Sequence, residues 1–220
     1  MNKLFVAGLS VAVGMCFAVS GYAGVKVSDK KVVTVAKADS KKVAKKTSSK
    51  EKAKLYMIAD FESGMAPNNL GGGFGVWHKD PNDQTQGCTM EFVTPGHENK
   101  GQALKIAYDV DSPNPAYNGL WMKLEDQDFS QYKKVSFWLK GDGDAGYTNR
   151  FKVEFKDSSN TSPYYVEDVS DNWALVEIPL TSFSRVADWT KMKEFVIVFE
   201  DSQATQKAGT IYIDDIALTK

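Results

Sequence analysis

Ala59-Asp60-Phe61-Glu62 opens one segment of this chain, and Ile213-Asp214-Asp215-Ile216-Ala217-Leu218 closes it. Between the two lie short runs of alternating apolar and polar residues, bounded by Gly, Asp, Asn and Pro, with no sustained helical period. An all-β domain carrying acids on its first and last strands brings those acids together when the two strands pair. Adjacent carboxylates repel one another unless a cation or a proton joins them. The pair of motifs therefore predicts a β-sandwich whose ends are tied by a calcium ion. The alternative is that these acids only solvate two strand ends.

Working outward from the motifs, strands are expected near residues 56–62, 89–94, 102–109, 118–125, 133–140, 149–156, 163–168, 173–178, 194–199 and 209–218, with one short helical turn within 181–192. The alternation assigns faces, because successive strand residues point to opposite sides of a sheet. Val135, Phe137 and Leu139 share one face, as do Phe151, Val153 and Phe155. Opposite the second set stand Arg150, Lys152, Glu154 and Lys156. In Leu120-Trp121-Met122-Lys123-Leu124 the core set is Leu120, Met122 and Leu124, which leaves Trp121 beside Lys123 on the polar face. An outward Trp among charges is informative, since such rings are usually buried. Glu194-Phe195-Val196-Ile197-Val198-Phe199 is apolar on both faces and reads as a central, doubly covered strand.

The domain containing these strands begins at Leu55. Residues 1–23 read as a secretory signal peptide, with Lys3, an apolar run from Leu4 to Val19 and small residues at Gly21-Tyr22-Ala23. The apolar run is short for a membrane span of roughly 20 residues. The mature chain is then expected to begin at or near Gly24, outside the cytoplasm: secreted, or in the periplasm or cell envelope, with no membrane span left after cleavage. Residues 24–54 form a Lys/Ala/Ser-rich segment with no aromatic residue, too polar to offset its own ordering entropy, and are expected to be a flexible linker. Residues 25–54 hold 11 Lys against three acids, 11 − 3 = +8, whereas residues 55–220 hold 15 Lys or Arg against 25 acids, 15 − 25 = −10. So acidic a domain argues against nucleic-acid binding.

Enzyme chemistry finds little support. His78 and His97 are the two histidines and fall into no zinc spacing. No nucleophile elbow or dinucleotide fingerprint occurs, and Gly71-Gly72-Gly73-Phe74-Gly75 lacks the strand before it and the helix after it that a phosphate loop needs. Cys88 is the one cysteine after the signal, so the domain is expected to be stable without a disulfide.

The order of several motifs carries a resemblance. Asp60-Phe61-Glu62 leads into Asn68-Asn69-Leu70-Gly71-Gly72 and Trp77. Gly101-Gln102-Ala103-Leu104-Lys105-Ile106 follows, then Val135-Ser136-Phe137-Trp138-Leu139-Lys140-Gly141. Trp173-Ala174-Leu175-Val176-Glu177-Ile178-Pro179-Leu180 and Ile213-Asp214-Asp215-Ile216 complete the series. Over residues 55–220 this resembles the galactose-binding-like jelly rolls, closest to family 11 carbohydrate-binding modules and the complex I intermediate-associated domain. The resemblance implies an all-β, two-sheet jelly-roll sandwich with a structural calcium. Glu62 and Asp214 are its first-choice ligands, Asp60 and Asp215 the second, and backbone carbonyls near Asn99 and Lys100 complete the shell.

The resemblance further implies a non-catalytic module that binds a polysaccharide or oligosaccharide, expected to be β-glucan-like, on an aromatic-lined sheet face. A pyranose packs its C–H face on an aromatic ring while its hydroxyls bond to polar neighbours. Trp121, Tyr117, Trp77, Tyr164 and Tyr165 are the candidate platforms, and Lys123, Arg150, Lys152 and Glu154 the candidate hydroxyl partners. Tyr164 or Tyr165 must face the core at least in part, and Trp138 and Trp173 read as core residues. A partner glycoside hydrolase or an envelope protein is the expected protein neighbour. The alternative function is a structural or assembly module of the same fold that contacts protein instead of sugar.

Overall fold

A computed structural model describes residues 55–220; the signal-peptide and linker expectations lie outside these residues. The described part holds β1 (Tyr56–Ala59), β2 (Phe74–His78), β3 (Gly87–Val93), β4 (Ala103–Asp109), β5 (Tyr117–Gln127) and β6 (Lys134–Gly141). It continues with β7 (Phe151–Lys156), β8 (Thr161–Val166), β9 (Ala174–Pro179), β10 (Met192–Glu200) and β11 (Ala208–Thr219). Helix among these residues is limited to 3₁₀ turns at His97–Asn99 and Leu180–Ser182. None is long and apolar enough to cross a membrane.

The strands form two antiparallel sheets, a jelly-roll sandwich. The first runs β3-β4-β11-β6-β9, with β1 also paired to β11; the second runs β2-β5-β10-β7-β8. The opening and closing strands are neighbours as the acidic motifs require, with Tyr56 opposite Leu218 and Ala59 opposite Ile216. β10 is central in the second sheet, flanked by β5 and β7.

The inner faces are those that the alternation assigns. Leu120, Met122, Leu124, Val153, Phe155, Val135 and Phe137 are fully buried. Phe137 of the first sheet meets Phe195 of the second edge-on at 6.4 Å, and Tyr108 stacks on Phe199 at 4.0 Å. Cys88 is buried with them, and burial pushes its thiol up to about 12, so it stays protonated and packs as a small apolar group.

One strand has no counterpart in the sequence reading. β2 was hidden by its glycines, which weaken a strand intrinsically. Their place in the sheet explains them. A Cβ at Gly72, just before β2, would collide with the Lys123 carbonyl oxygen of β5, and Gly75 lies beneath a large ring of the same strand.

Candidate functional site

The outer face of the second sheet is built row by row from its register. Gly75, Trp121, Val196, Glu154 and Pro163 form one row across the five strands. Trp77, Gly119, Val198, Lys152 and Tyr165 form the next, and Tyr117 pairs with Glu200 beyond it. On the other side Lys123, Glu194, Lys156 and Thr161 make a fourth row. Trp77, Trp121, Glu154, Lys156, Glu194 and Val196 line a depression of about 260 Å³ in this face.

Trp121 lies flat. A Cβ built on Gly75 would sit 3.4 Å from its Cζ2 and one on Gly73 3.7 Å from its Cη2, so β2 and its approach pass under the ring as bare backbone. Glycine here serves close approach rather than an unusual backbone angle. The neighbouring aromatics continue the surface: Trp77 meets Tyr117 edge-on at 5.7 Å, and Lys79 caps Tyr117 at 5.2 Å. Trp77 is half-buried, and its indole N–H has no hydrogen-bond acceptor among the described residues. Gly75→Val is therefore expected to tilt Trp121 off the sheet without removing it. If the ring is a ligand platform, glycan affinity should fall about fivefold, for roughly 1 kcal/mol of lost stacking. Calorimetric titration checks this.

The polar half of the face is an ion-pair lattice. Glu194 bridges Lys123 at 2.5 Å and Lys156 at 3.0 Å, while Lys152 bridges Glu154 at 3.1 Å and Glu200 at 2.9 Å. The Tyr165 hydroxyl donates to Glu200 at 3.0 Å. Burial opposes the charge on Lys152, but Glu200 and Glu154 outweigh it and hold the ammonium above its usual range. At Glu194 burial is likewise outweighed, by Lys123 and Lys156, and the carboxyl sits below its usual range. Such a lattice fixes donors and acceptors in place before a ligand arrives, which limits the ordering cost of binding.

Of the nine candidate sugar residues, Trp121, Tyr117, Trp77, Lys123, Lys152, Glu154 and Tyr165 share this face. Arg150 sits at its margin, its guanidinium 4.2 Å from the Tyr165 ring and paired to Glu167. Tyr164 does not belong with them. It pairs with Val153 and packs inward on Phe183 at 5.9 Å, because adjacent residues on a strand face opposite ways. Sequence reasoning missed Gly73, Gly75, Val196 and Glu194 as parts of the site, although the glycine cluster before Trp77 was visible.

The acids of the end motifs also meet. Asp214 is 3% exposed at an irregularity of β11. Its Oδ2 accepts the His97 N–H at 2.9 Å and its Oδ1 the Asp215 N–H at 2.8 Å. Burial, then the Asp215 and Glu62 charges, raise its pKa to about 6 against the two hydrogen bonds. Glu62 Oε1 accepts the Gln102 N–H at 3.1 Å. A Cβ on Gly96 would lie 2.8 Å from both Asp214 Oδ2 and the Lys100 carbonyl oxygen, so both oxygens border this glycine. Burial also raises Asp215, with Asp60 and Glu62 adding to it and His97 opposing. Asp60 is engaged locally, accepting from Asn69 Nδ2 at 2.8 Å and the Glu62 N–H at 3.2 Å. No group of three or more His, Cys, Asp or Glu side chains among the described residues is arranged around a metal. Glu62 and Asp214, whose charges repel, are hard carboxylate oxygens, the donor type that calcium takes.

Trp138 and Trp173 depart from expectation. Trp138 is out of phase with Val135, Phe137 and Leu139 and is half-buried on the outer face of the first sheet, stacked on His97 at 3.6 Å. Trp173 meets the same imidazole edge-on at 5.8 Å. The alternation of β6 carried the signal for Trp138.

Residues 67–220 match the profile of the family described as carbohydrate binding domain 30. The solution structure of CtCBM11 superposes with a TM-score of 0.58 at 20% identity, over 77% of this chain and 97% of that one. The family 11 carbohydrate-binding module of the cellulosomal cellulase Lic26A-Cel5E of Clostridium thermocellum gives 0.56 at 20% identity, over 76% and 95%. A family 11 module from Clostridium thermocellum in complex with a β-1,3-1,4-mixed-linked tetrasaccharide gives 0.54 at 21% identity, over 75% and 95%. At these identities the shared property is the fold. No curated protein matches the chain.

Proposed function

The chain belongs to the carbohydrate binding domain 30 family, a non-catalytic class of domain, and from that premise we propose that it binds a β-glucan-like polysaccharide on the outer face of its second sheet. The observation that carries this reading is Trp121. Its ring lies flat on glycine backbone, beside Trp77, Tyr117 and an ordered lattice of Lys and Glu. A pyranose presents to such a surface the two things it has, an apolar C–H face and a rim of hydroxyls. The tetrasaccharide held by a module of the same fold supports a mixed-linked β-glucan as the first ligand to try. Titration of the protein with soluble β-1,3-1,4-glucan should give saturable binding. Failure to bind it, or any member of a glycan array, would return the protein to the structural or assembly reading.

Two further features belong to this proposal. A structural calcium held by Glu62, Asp214 and the Lys100 carbonyl, with Asp60 and Asp215 near it, would neutralise the acids where the first strand meets the last. The N-terminal signal reading supports export to the envelope or beyond, where a partner glycoside hydrolase or an envelope protein would be its neighbour. Mass spectrometry of exported protein is expected to find a chain starting at or near Gly24, and an intact Met1 there would refute cleavage.

A further inference from the structure

The outer face of the first sheet, on the other side of the sandwich, holds a second aromatic depression. A pocket of about 400 Å³ is lined by Trp138, His97, Leu175, Ser136, Glu177 and Asp215, among others. The register explains the grouping. Trp138 of β6 lies opposite Leu175 of β9, and Ser136 opposite Glu177, so two consecutive outward rows supply an apolar pair and a polar pair. His97 enters from the loop before β4 and stacks on Trp138, its plane tilted by 16°. Beyond them Lys140 Nζ lies 5.6 Å from the Trp173 ring and 4.7 Å from the Tyr212 ring, which extends the aromatic strip along the sheet. Leu175, 49% exposed, and Leu55, 47% exposed, both line this pocket and give it an apolar wall open to solvent.

We propose that this face is a second glycan-binding platform, so that one domain grips two stretches of polysaccharide from opposite sides. Its volume falls in the range of small-molecule sites, about 300–1,000 Å³. Its composition favours sugar over protein. Interface cores between proteins are depleted in Glu and Asp, whereas here Glu177 and Asp215 line the pocket together with the stacked Trp138–His97 pair. Rings beside carboxylates and a hydroxyl suit a ligand with one apolar face and a hydroxyl rim. The inference rests on glycan binding as the function of the domain, but not on the Trp121 face being a site.

The test uses ¹⁵N-labelled protein titrated with the β-1,3-1,4-mixed-linked tetrasaccharide and with cellohexaose, reading each Trp indole N–H separately. Two groups of signals should shift, Trp121 with Trp77, and Trp138 with Trp173. Trp121→Ala should leave the second group responding. Leu175→Asp, at an exposed position where folding is not at stake, should weaken the response of Trp138 at least fivefold and leave that of Trp121 unchanged. The native protein should also cross-link and precipitate long β-glucan chains, and Leu175→Asp should not. Movement of Trp121 and Trp77 alone would overturn the second platform and leave the first standing. Movement of Trp138 and Trp173 alone would do the reverse. If no indole moves with either sugar, both fail.

Discussion

Trp121→Ala is expected to remove most of the glycan affinity of the second-sheet face while leaving the fold intact. The ring is half-exposed, lies on Gly73 and Gly75, and makes no part of the core, which is filled by Leu120, Met122 and Leu124 of the same strand. One aromatic platform contributes about 1–2 kcal/mol, roughly a 5- to 30-fold loss of affinity. A ring that mattered for packing would behave otherwise, since truncating a buried Trp costs about 3–5 kcal/mol of stability. Calorimetric titration and thermal unfolding of the same variant separate the two. Unchanged affinity with a large fall in melting temperature would move the site away from Trp121.

Chelation of calcium is expected to lower the melting temperature of the native protein. An ion bound only by the folded state, at about 100 times its dissociation constant, stabilises by about 2.7 kcal/mol. For a domain of this size each kcal/mol corresponds to about 2–4 °C, so the fall should be roughly 5–11 °C. Glu62→Gln is the informative variant. The amide oxygen still accepts the Gln102 N–H that Glu62 Oε1 now accepts, but one of the two repelling carboxylates is gone. The variant should lose most of the response to chelator. An identical melting curve in excess chelator, for protein first shown to contain calcium, would sink the structural role.

β5, β6 and β7 were legible because alternation over five or more residues has one solution when one face is buried, and β10 because a short run apolar on both faces marks a covered central strand. β2 was not, because Gly73-Phe74-Gly75-Val76-Trp77 reads as a loop until its partner is known. Trp121 was legible as an outward ring from its phase. Trp138 has the same signal in the same kind of strand, yet the usual burial of large aromatic rings pointed it inward. Tyr164 and Tyr165 are adjacent, so one had to face inward, but only the pairing of Val153 with Tyr164 shows which.

By itself the sequence determined the all-β class and the inward set of nearly every long strand. These follow from period, a local property of the chain. Tertiary structure alone decided which strands are neighbours in each sheet, and therefore which side chains share a row. Trp121 comes to lie over Gly75 and beside Val196, and Glu194 between Lys123 and Lys156, because β2, β5, β10 and β7 are adjacent in space while far apart in sequence. A binding face is a cross-strand object, and strand order is set by how two sheets bury one core, which no single strand records.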